Sequence, residues 1–161
     1  MKTPRAVAIH DLSGIGRCSL TAAIPILSAM GIQVCPFPTA VLSNQTGFPR
    51  YVLVDLTDRM EAFGQCWAPW YGRFDAVYSG SLGNPRQAEI TRGLVEKLRG
   101  EDTLVLVDTV LGDHGMRYPI FDEEMCSRVR ELAFDADVIT PNLTEACLLA
   151  GEPAEAAQDM Q

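Results

Sequence analysis

Hydrophobic and polar positions along the chain predict strands and helices in alternation. Short apolar runs predict strands at 5–10, 32–37, 39–42, 75–79, 103–107 and 137–140. Stretches with helical spacing of apolar residues predict helices at 17–30, 58–71, 84–99, 121–134 and 142–150. The run at 103–107, TLVLV, is apolar throughout, which is typical of a strand buried on both faces. The alternation predicts an α/β fold with a parallel sheet and helices on both faces.

Polar residues and prolines indicate the ends of several elements. Asn84 before Pro85 predicts a helix N-cap, and Asn142 with Glu145 three residues later predicts a capping box. Asp58 with Glu61 fits the same box. Glycines and prolines indicate where other elements end. Gly31 and Gly151 predict helix ends, and Pro36 and Pro38 predict a break between two short strands.

Composition narrows the class of protein. The 161 residues are 47% hydrophobic and 21% charged, which predicts one globular domain over 1–161. The net charge of −8 argues against nucleic-acid binding, although a helix N-terminus or a metal ion can still hold a phosphate. No apolar run is long enough for a membrane span, and the five scattered cysteines contain no C-x-x-C pair. We therefore expect a cytoplasmic protein with free thiols.

The segment after the first strand, 10–19, offers polar groups where open α/β sheets bind ligands. Asp11 and Ser13 supply a carboxylate and a hydroxyl suited to a small polar ligand. A tight turn that needs glycine is the simpler explanation. A dinucleotide-binding fingerprint is disfavoured because Ser19 stands in place of the third glycine and no acid ends the second strand. A P-loop motif is absent from the sequence.

Two more segments follow strands and carry polar residues. In the stretch 39–47, the polar residues Ser43, Asn44 and Thr46 follow a short apolar strand. A turn alone would explain them. The stretch 78–84 has two glycines that allow close approach to the backbone, while Asn84 is sufficiently explained as a helix cap.

Acidic residues follow the last two predicted strands. Asp108 comes directly after an apolar strand, where a carboxylate is costly to bury unless a positive group meets it. Mg²⁺ favours one or two carboxylates together with substrate phosphates, so Asp108, Asp113 and Glu145 predict a magnesium site. For Asp113 a turn or a helix cap is the alternative, and for Glu145 the capping box is compatible with a metal role.

These segments in this order resemble bacterial pyridoxal/pyridoxamine kinases of the ribokinase-like superfamily. The stretches that carry the resemblance are AIHDLSGIGR, TAVLSNQT, SGSLGN, VDTVLGD and DVITPNLTE. The resemblance implies a ribokinase-like parallel sheet, a homodimer, and Mg-ATP-dependent phosphorylation of the 5′-hydroxyl of a vitamin B6 vitamer. The cofactors it implies are ATP and Mg²⁺.

The resemblance also assigns roles to individual residues. The substrate-binding residues it implies are Asp11, Ser13, Ala40, Leu42, Thr46 and Ser81. The residues implied at the ATP-metal site are Asp108, Asp113, Asn142 and Glu145, with Asp108, Asp113 and Glu145 near Mg²⁺.

Departures from the family pattern qualify this picture. Thr109 replaces a common proline, Gln45 a common histidine, and Ser81 a common tyrosine that packs on the substrate ring. The family's G-T-G-D-like motif, which supplies the catalytic base, is not found before Gln161. We therefore expect a chain truncated at its C-terminal end, with the base beyond residue 161 and activity impaired. The alternatives are a hydroxymethylpyrimidine kinase on the same fold, or a remnant that binds a vitamer or partner subunit without catalysis.

Overall fold

The computed structural model describes residues 3–158. They form a six-stranded sheet, a separate two-stranded ribbon and five α-helices. The strands are β1 (Arg5–Ile15), β2 (Gln33–Asn44), β3 (Leu53–Asp55), β4 (Ala76–Ser79), β5 (Leu104–Val107), β6 (Gly112–Asp113), β7 (Met116–Arg117) and β8 (Val138–Ile139). The helices are α1 (Ser19–Ala29), α2 (Thr57–Cys66), α3 (Pro85–Leu98), α4 (Glu123–Phe134) and α5 (Leu143–Ala150).

The sheet has the order β3-β2-β1-β4-β5-β8, and all neighbours except the β2–β3 pair are parallel. Val7 and Ile9 of β1 join a buried core with α2, α3 and α4. Ala6 and Ala8 point to the opposite face, and α1 packs against β1 and β2. The predicted α/β fold with helices on both faces is confirmed, as a mixed sheet in which parallel pairs dominate.

Local signals placed most helix ends correctly. The Asn84 side chain accepts a hydrogen bond from the Gln87 amide, and Asn142 with Glu145 forms a full capping box. Gly31 and Gly151 both have a φ of +81°, as expected of residues that end helices in a left-handed conformation.

The capping box predicted at Asp58 is wrong. Helix α2 begins one residue earlier, at Thr57, and Asp55 Oδ1 accepts from the Thr57 amide at 2.7 Å. Asp58 is instead paired with Arg86, its carboxylate 2.8 Å from the guanidinium. The predicted helix 58–71 also stops early, because Pro69 falls in a short 3-10 turn at Ala68–Trp70.

The break predicted at Pro36 and Pro38 is wrong as well, because β2 runs unbroken from Gln33 to Asn44. Proline has no backbone N–H to donate, so it is confined to strand positions whose N–H needs no ladder partner. Both prolines pair with β1, and β3 pairs with β2 only at residues 40–42, so the outer side of β2 is open beside the prolines. Strands β3, β6 and β7, each two or three residues long, were not predicted.

No helix within residues 3–158 is both long and apolar enough to cross a membrane.

Candidate functional site

The strand order places a crevice between β1 and β4. The chain passes from β1 through α1 to β2 on one side, whereas β4 lies on the other side of β1. Connections that leave neighbouring strands in opposite directions put their helices on opposite faces of the sheet. The carboxyl ends of such strands form the crevice where open α/β sheets bind ligands. His10 and Asp11 directly follow the part of β1 that pairs with β4, and Gly80 and Ser81 follow β4.

Asp11 lies at an irregularity within β1 rather than in a loop after it. The predicted end of the first strand at residue 10 is wrong, because β1 continues to Ile15 and pairs with β2 after a register shift between His10 and Leu12. Such bulges turn a side chain out of the regular alternation. Asp11 is 9% exposed, and its carboxylate accepts from Ser13 Oγ at 2.9 Å and Ser19 Oγ at 2.5 Å. Two hydroxyls therefore fix the orientation of this carboxylate.

The predicted pocket residues on β2 lie beside this carboxylate. Ser13 pairs with Leu42 across the β1–β2 ladder, and Ala40 and Leu42 are both buried. Thr46 lies apart from them, exposed in the turn after β2. The structure therefore groups Asp11, Ser13, Ala40 and Leu42, and leaves Thr46 at the rim.

Ser81 is held near the same group by a buried polar network. Thr39 Oγ1, one residue before Ala40, donates to the Ser81 carbonyl at 3.2 Å. Gln87, 1% exposed, donates through Nε2 to the Thr39 carbonyl at 3.0 Å and accepts at Oε1 from the Gly83 amide at 2.7 Å. The loop after β4 is thereby attached to β2 next to the pocket.

His10 is a residue of this crevice that sequence analysis missed. Its ring is 3% exposed and meets Tyr78 edge-on, with centroids 4.3 Å apart, and its Nε2 has no hydrogen-bond partner in the described part of the chain. Burial lowers its pKa to about 4, although the Asp11 charge opposes that shift. The signal in the sequence was a histidine at the end of an apolar strand, directly before a carboxylate.

The second group of predicted residues gathers at the ends of β5 and β8. The Asp108 amide donates to the Ser79 carbonyl at 2.8 Å, which joins the start of this acidic loop to β4. The Asp108 side chain is half-buried. Burial raises the pKa of its carboxyl, while a hydrogen bond with Thr140 opposes that shift. Partial removal from water disfavours the charged form of a carboxyl group, which is why the pKa of Asp108 rises.

Glu145 and Asn142 join the start of α5 to this acidic loop. The Glu145 carboxylate, 4% exposed, accepts from Thr109 Oγ1 at 3.0 Å and from the Leu111 amide at 3.1 Å. Asn142 Nδ2 donates to the Gly112 carbonyl at 2.8 Å. Burial raises the pKa of Glu145, and its three donors, the Asn142 amide included, oppose the shift.

Asp113 lies at the rim of this group. Its carboxylate is about half exposed and accepts from the His114 amide at 2.8 Å. Burial raises the pKa of the Tyr118 hydroxyl, with further contributions from the charges of Asp113, Glu145 and Asp108. The charges of all three acids therefore reach Tyr118, a neighbour that the sequence did not indicate.

Comparison with known proteins identifies the family. A candidate phosphomethylpyrimidine kinase from Bacteroides thetaiotaomicron is 51% identical to this chain and superposes with a TM-score of 0.92 over 97% of the chain. An orthorhombic crystal of a candidate phosphomethylpyrimidine kinase from the same organism contains pyridoxal. Pyridoxal kinase from Lactobacillus plantarum is 34% identical, with a TM-score of 0.87 over 94% of this chain.

The chain belongs to the pyridoxal kinase family of the ribokinase-like fold. A pyridoxal kinase PdxY from Rubrobacter xylanophilus is 31% identical over 90% of the chain. The chain spans about half the length of these relatives: 52% of the Rubrobacter protein, and 54% of both the Bacteroides and the Lactobacillus structures. No family model matches the chain.

Only some of the acids in this pyridoxal kinase family member are available to bind a divalent cation. Asp108 is a half-buried carboxylate that forms no ion pair within residues 3–158, whereas both oxygens of Glu145 are already occupied by protein donors. Across those residues no three His, Cys, Asp or Glu side chains are arranged to hold a metal ion by themselves. One or two carboxylates that leave room for phosphate oxygens suit Mg²⁺. The metal-ligand roles of Asp108, Asp113 and Glu145 stay predictions.

Proposed function

We propose that this chain forms the vitamer pocket and part of the phosphate site of a pyridoxal kinase, which transfers phosphate from Mg-ATP to the 5′-hydroxyl of pyridoxal, pyridoxine or pyridoxamine. The observation that supports this most is that two clusters of polar residues lie on the same side of the sheet, at the carboxyl ends of its parallel strands. One lies around Asp11 at the switch point between strands, and the other around Asp108 at the end of β5.

The Asp11 group is proposed to bind the vitamer. A pyridine ring needs apolar contacts on its faces and polar contacts at its edge. The buried side chains of Ala40 and Leu42 supply the first, and the carboxylate of Asp11 with the hydroxyl of Ser13 supplies the second. Ser81, in the loop after β4, and Thr46, in the turn after β2, are proposed to contact the substrate as well.

The acidic group is proposed to face the phosphates. When bound, Mg²⁺ would neutralise charge on the transferring phosphate. Asp108 and Asp113 supply the carboxylates for it, and Asn142 and Glu145 hold the loop that carries them. The remaining contribution of the protein to phosphoryl transfer is positioning.

A kinase for a hydroxymethylpyrimidine is the second candidate. Two observations favour it: the 51% identical relative is described as a candidate phosphomethylpyrimidine kinase, and Ser81 offers a small hydroxyl where the family pattern has a tyrosine ring. Competition for binding between pyridoxal and 4-amino-5-hydroxymethyl-2-methylpyrimidine separates the two. Preferential displacement by the pyrimidine would support the second candidate.

The direct test follows pyridoxal 5′-phosphate formation from pyridoxal and Mg-ATP. Asp108→Asn is the test variant, and Asp102→Asn, an exposed acid in a turn before β5, is the matched control. Product that is lost in Asp108→Asn and kept in Asp102→Asn supports the proposed role of Asp108. Equal and measurable rates of product formation in both variants contradict it.

The proposal assigns no catalytic base within residues 1–161, so we expect vitamer binding with slow or no turnover from this chain alone. Calorimetry with pyridoxal distinguishes a chain that binds the vitamer without turnover from a chain in which the pocket has been wrongly assigned. Binding that Asp11→Asn weakens, with no product, supports a binding function without catalysis. Robust turnover would contradict the expected impairment, and absence of binding would contradict the vitamer pocket.

A homodimer is proposed to form through the face of β1, β2 and β3. Leu12 pairs with Val41, and Val41 pairs with Val54, so three apolar side chains form a row across the sheet. They are 36%, 41% and 55% exposed. A row of this kind can pack against its own copy about a two-fold axis. Light scattering should give a dimer that Val54→Lys converts to a monomer, whereas Val138→Lys on the far strand leaves the dimer intact.

A further inference from the structure

The acidic loop between β5 and β6 contains an unfavourable backbone conformation. Val110 has a φ of +42°, in the left-handed region that branched side chains rarely adopt. A conformation of this kind persists only where surrounding contacts hold it in place. The turn at Val110 must therefore be held by contacts from neighbouring side chains.

One carboxylate holds the turn from both sides. Glu145 accepts from Thr109 Oγ1 through Oε2 and from the Leu111 amide through Oε1, so its two oxygens bind the residues directly before and after Val110. Thr109 is 3% exposed and Leu111 is fully buried. Water cannot readily replace a hydrogen bond that is lost at such buried positions.

The same turn determines how far apart two proposed magnesium ligands lie. Its start is fixed because the Asp108 amide donates to the Ser79 carbonyl at 2.8 Å. Its end is fixed because Asn142 Nδ2 donates to the Gly112 carbonyl at 2.8 Å, directly before Asp113. The path between these two fixed points runs through Thr109, Val110 and Leu111 and depends on Glu145.

We propose that Thr109 is a positioning residue: its buried hydroxyl orients the Glu145 carboxylate, which holds the left-handed turn at Val110 and so sets the placement of Asp108 relative to Asp113. This rests on the proposed function, in which those two aspartates face Mg²⁺ and phosphate. Thr109 itself touches neither. Glu145 acts here through the backbone of the loop.

Amide hydrogen exchange at Leu111 tests the hydrogen-bond link without metal or substrate. Thr109→Val keeps the branched shape and removes the hydroxyl, so exchange at Leu111 should become about tenfold faster. Thr109→Ser restores the hydroxyl and should return exchange to the wild-type rate. Thr103→Val is the matched control, because Thr103 is also a buried threonine with a hydroxyl that donates a hydrogen bond, in its case to the Phe74 carbonyl at 2.6 Å.

Faster amide exchange at Leu111 in Thr109→Val, but not in Thr109→Ser or Thr103→Val, supports the proposed link from the Thr109 hydroxyl through Glu145 to Leu111. Unchanged exchange, or the same acceleration in Thr103→Val, overturns it. A second variant tests the strain: in Val110→Gly the left-handed turn needs less support, so adding Thr109→Val should accelerate exchange by less than about threefold. An undiminished effect in that background overturns the role assigned to Val110.

Binding of Mn²⁺ in the presence of inorganic pyrophosphate, which supplies phosphate oxygens, tests the consequence for Asp108 and Asp113 and is followed by electron paramagnetic resonance. Thr109→Val should weaken Mn²⁺ binding about tenfold, and Thr109→Ser should restore it. Equal or tighter binding in Thr109→Val overturns the positioning role, since a freed Glu145 would then be the better ligand. Absence of Mn²⁺ binding by the unmodified chain overturns the proposed metal function, while the exchange data still judge the link between Thr109 and Glu145.

Discussion

The buried histidine between β1 and β4 makes stability depend on pH in a defined window. His10 is 3% exposed, and burial lowers its pKa to about 4, although the charge of Asp11 opposes this. In the unfolded chain the same side chain titrates near 6.5. Between these two values the unfolded chain binds more protons than the folded chain, so stability rises with pH there.

The size of the effect follows from the two pKa values. The contribution of a neutral His10 is fully present above pH 6.5 and is lost as the pH falls through that value toward 4. By pH 5 about 2 kcal/mol should be lost, and the whole difference corresponds to about 3 kcal/mol. Small domains are stable by about 5–15 kcal/mol, so this is a substantial share.

Urea unfolding at pH 7.5, 6 and 5 measures this loss by comparing the wild type with His10→Asn. Carboxylates remote from His10 contribute equally to both proteins, so the difference between the two isolates the imidazole together with its interaction with Asp11. That difference should change by about 2 kcal/mol between pH 7.5 and 5, with the wild type losing more. His114→Asn is the matched control, because His114 is the other histidine and its side chain is 86% exposed. Parallel pH profiles for the wild type and His10→Asn would refute the reasoning.

Three further predictions concern the packing around the proposed site, and urea unfolding measures each. Gly80→Ala should cost about 1–3 kcal/mol, because the new Cβ would clash with the His10 ring. The cost should fall by at least half in a His10→Ala background, and an unchanged cost there would contradict the contact. Asn142→Ala should cost about 1–2 kcal/mol by removing the helix cap and the bond to Gly112, whereas Asn142→Asp, which keeps the cap, should cost less. Gln87→Leu should cost about 2–3 kcal/mol by leaving buried partners unpaired, and a neutral effect would mean that the network is dispensable.

Features that depend on neighbours within a few residues could be predicted from the sequence. The caps at Asn84 and Asn142 and the helix end at Gly151 depend on side chains and backbone within one turn of helix. The alternation of strands and helices depends on local periodicity, so the fold class was predicted correctly. The family followed from short motifs read in order along the chain.

Features that depend on pairing between distant segments could not be predicted. The continuation of β1 past His10 and the unbroken β2 through Pro36 and Pro38 depend on which side of each strand is occupied by a neighbour. The start of α2 depends on Asp55 outside the helix rather than on the box suggested by Asp58.

Local sequence accounts for the order of the longer strands and helices, the helix caps at Asn84 and Asn142, and the list of polar residues that follow strands. What those residues contact depends on how distant segments pack. That packing placed His10 beneath Gly80, bound Asp11 to two hydroxyls, and committed Glu145 to the backbone on both sides of Val110. The physical reason is that periodicity and capping act over a few residues, whereas burial and hydrogen-bond partners arise when segments far apart in sequence pack together.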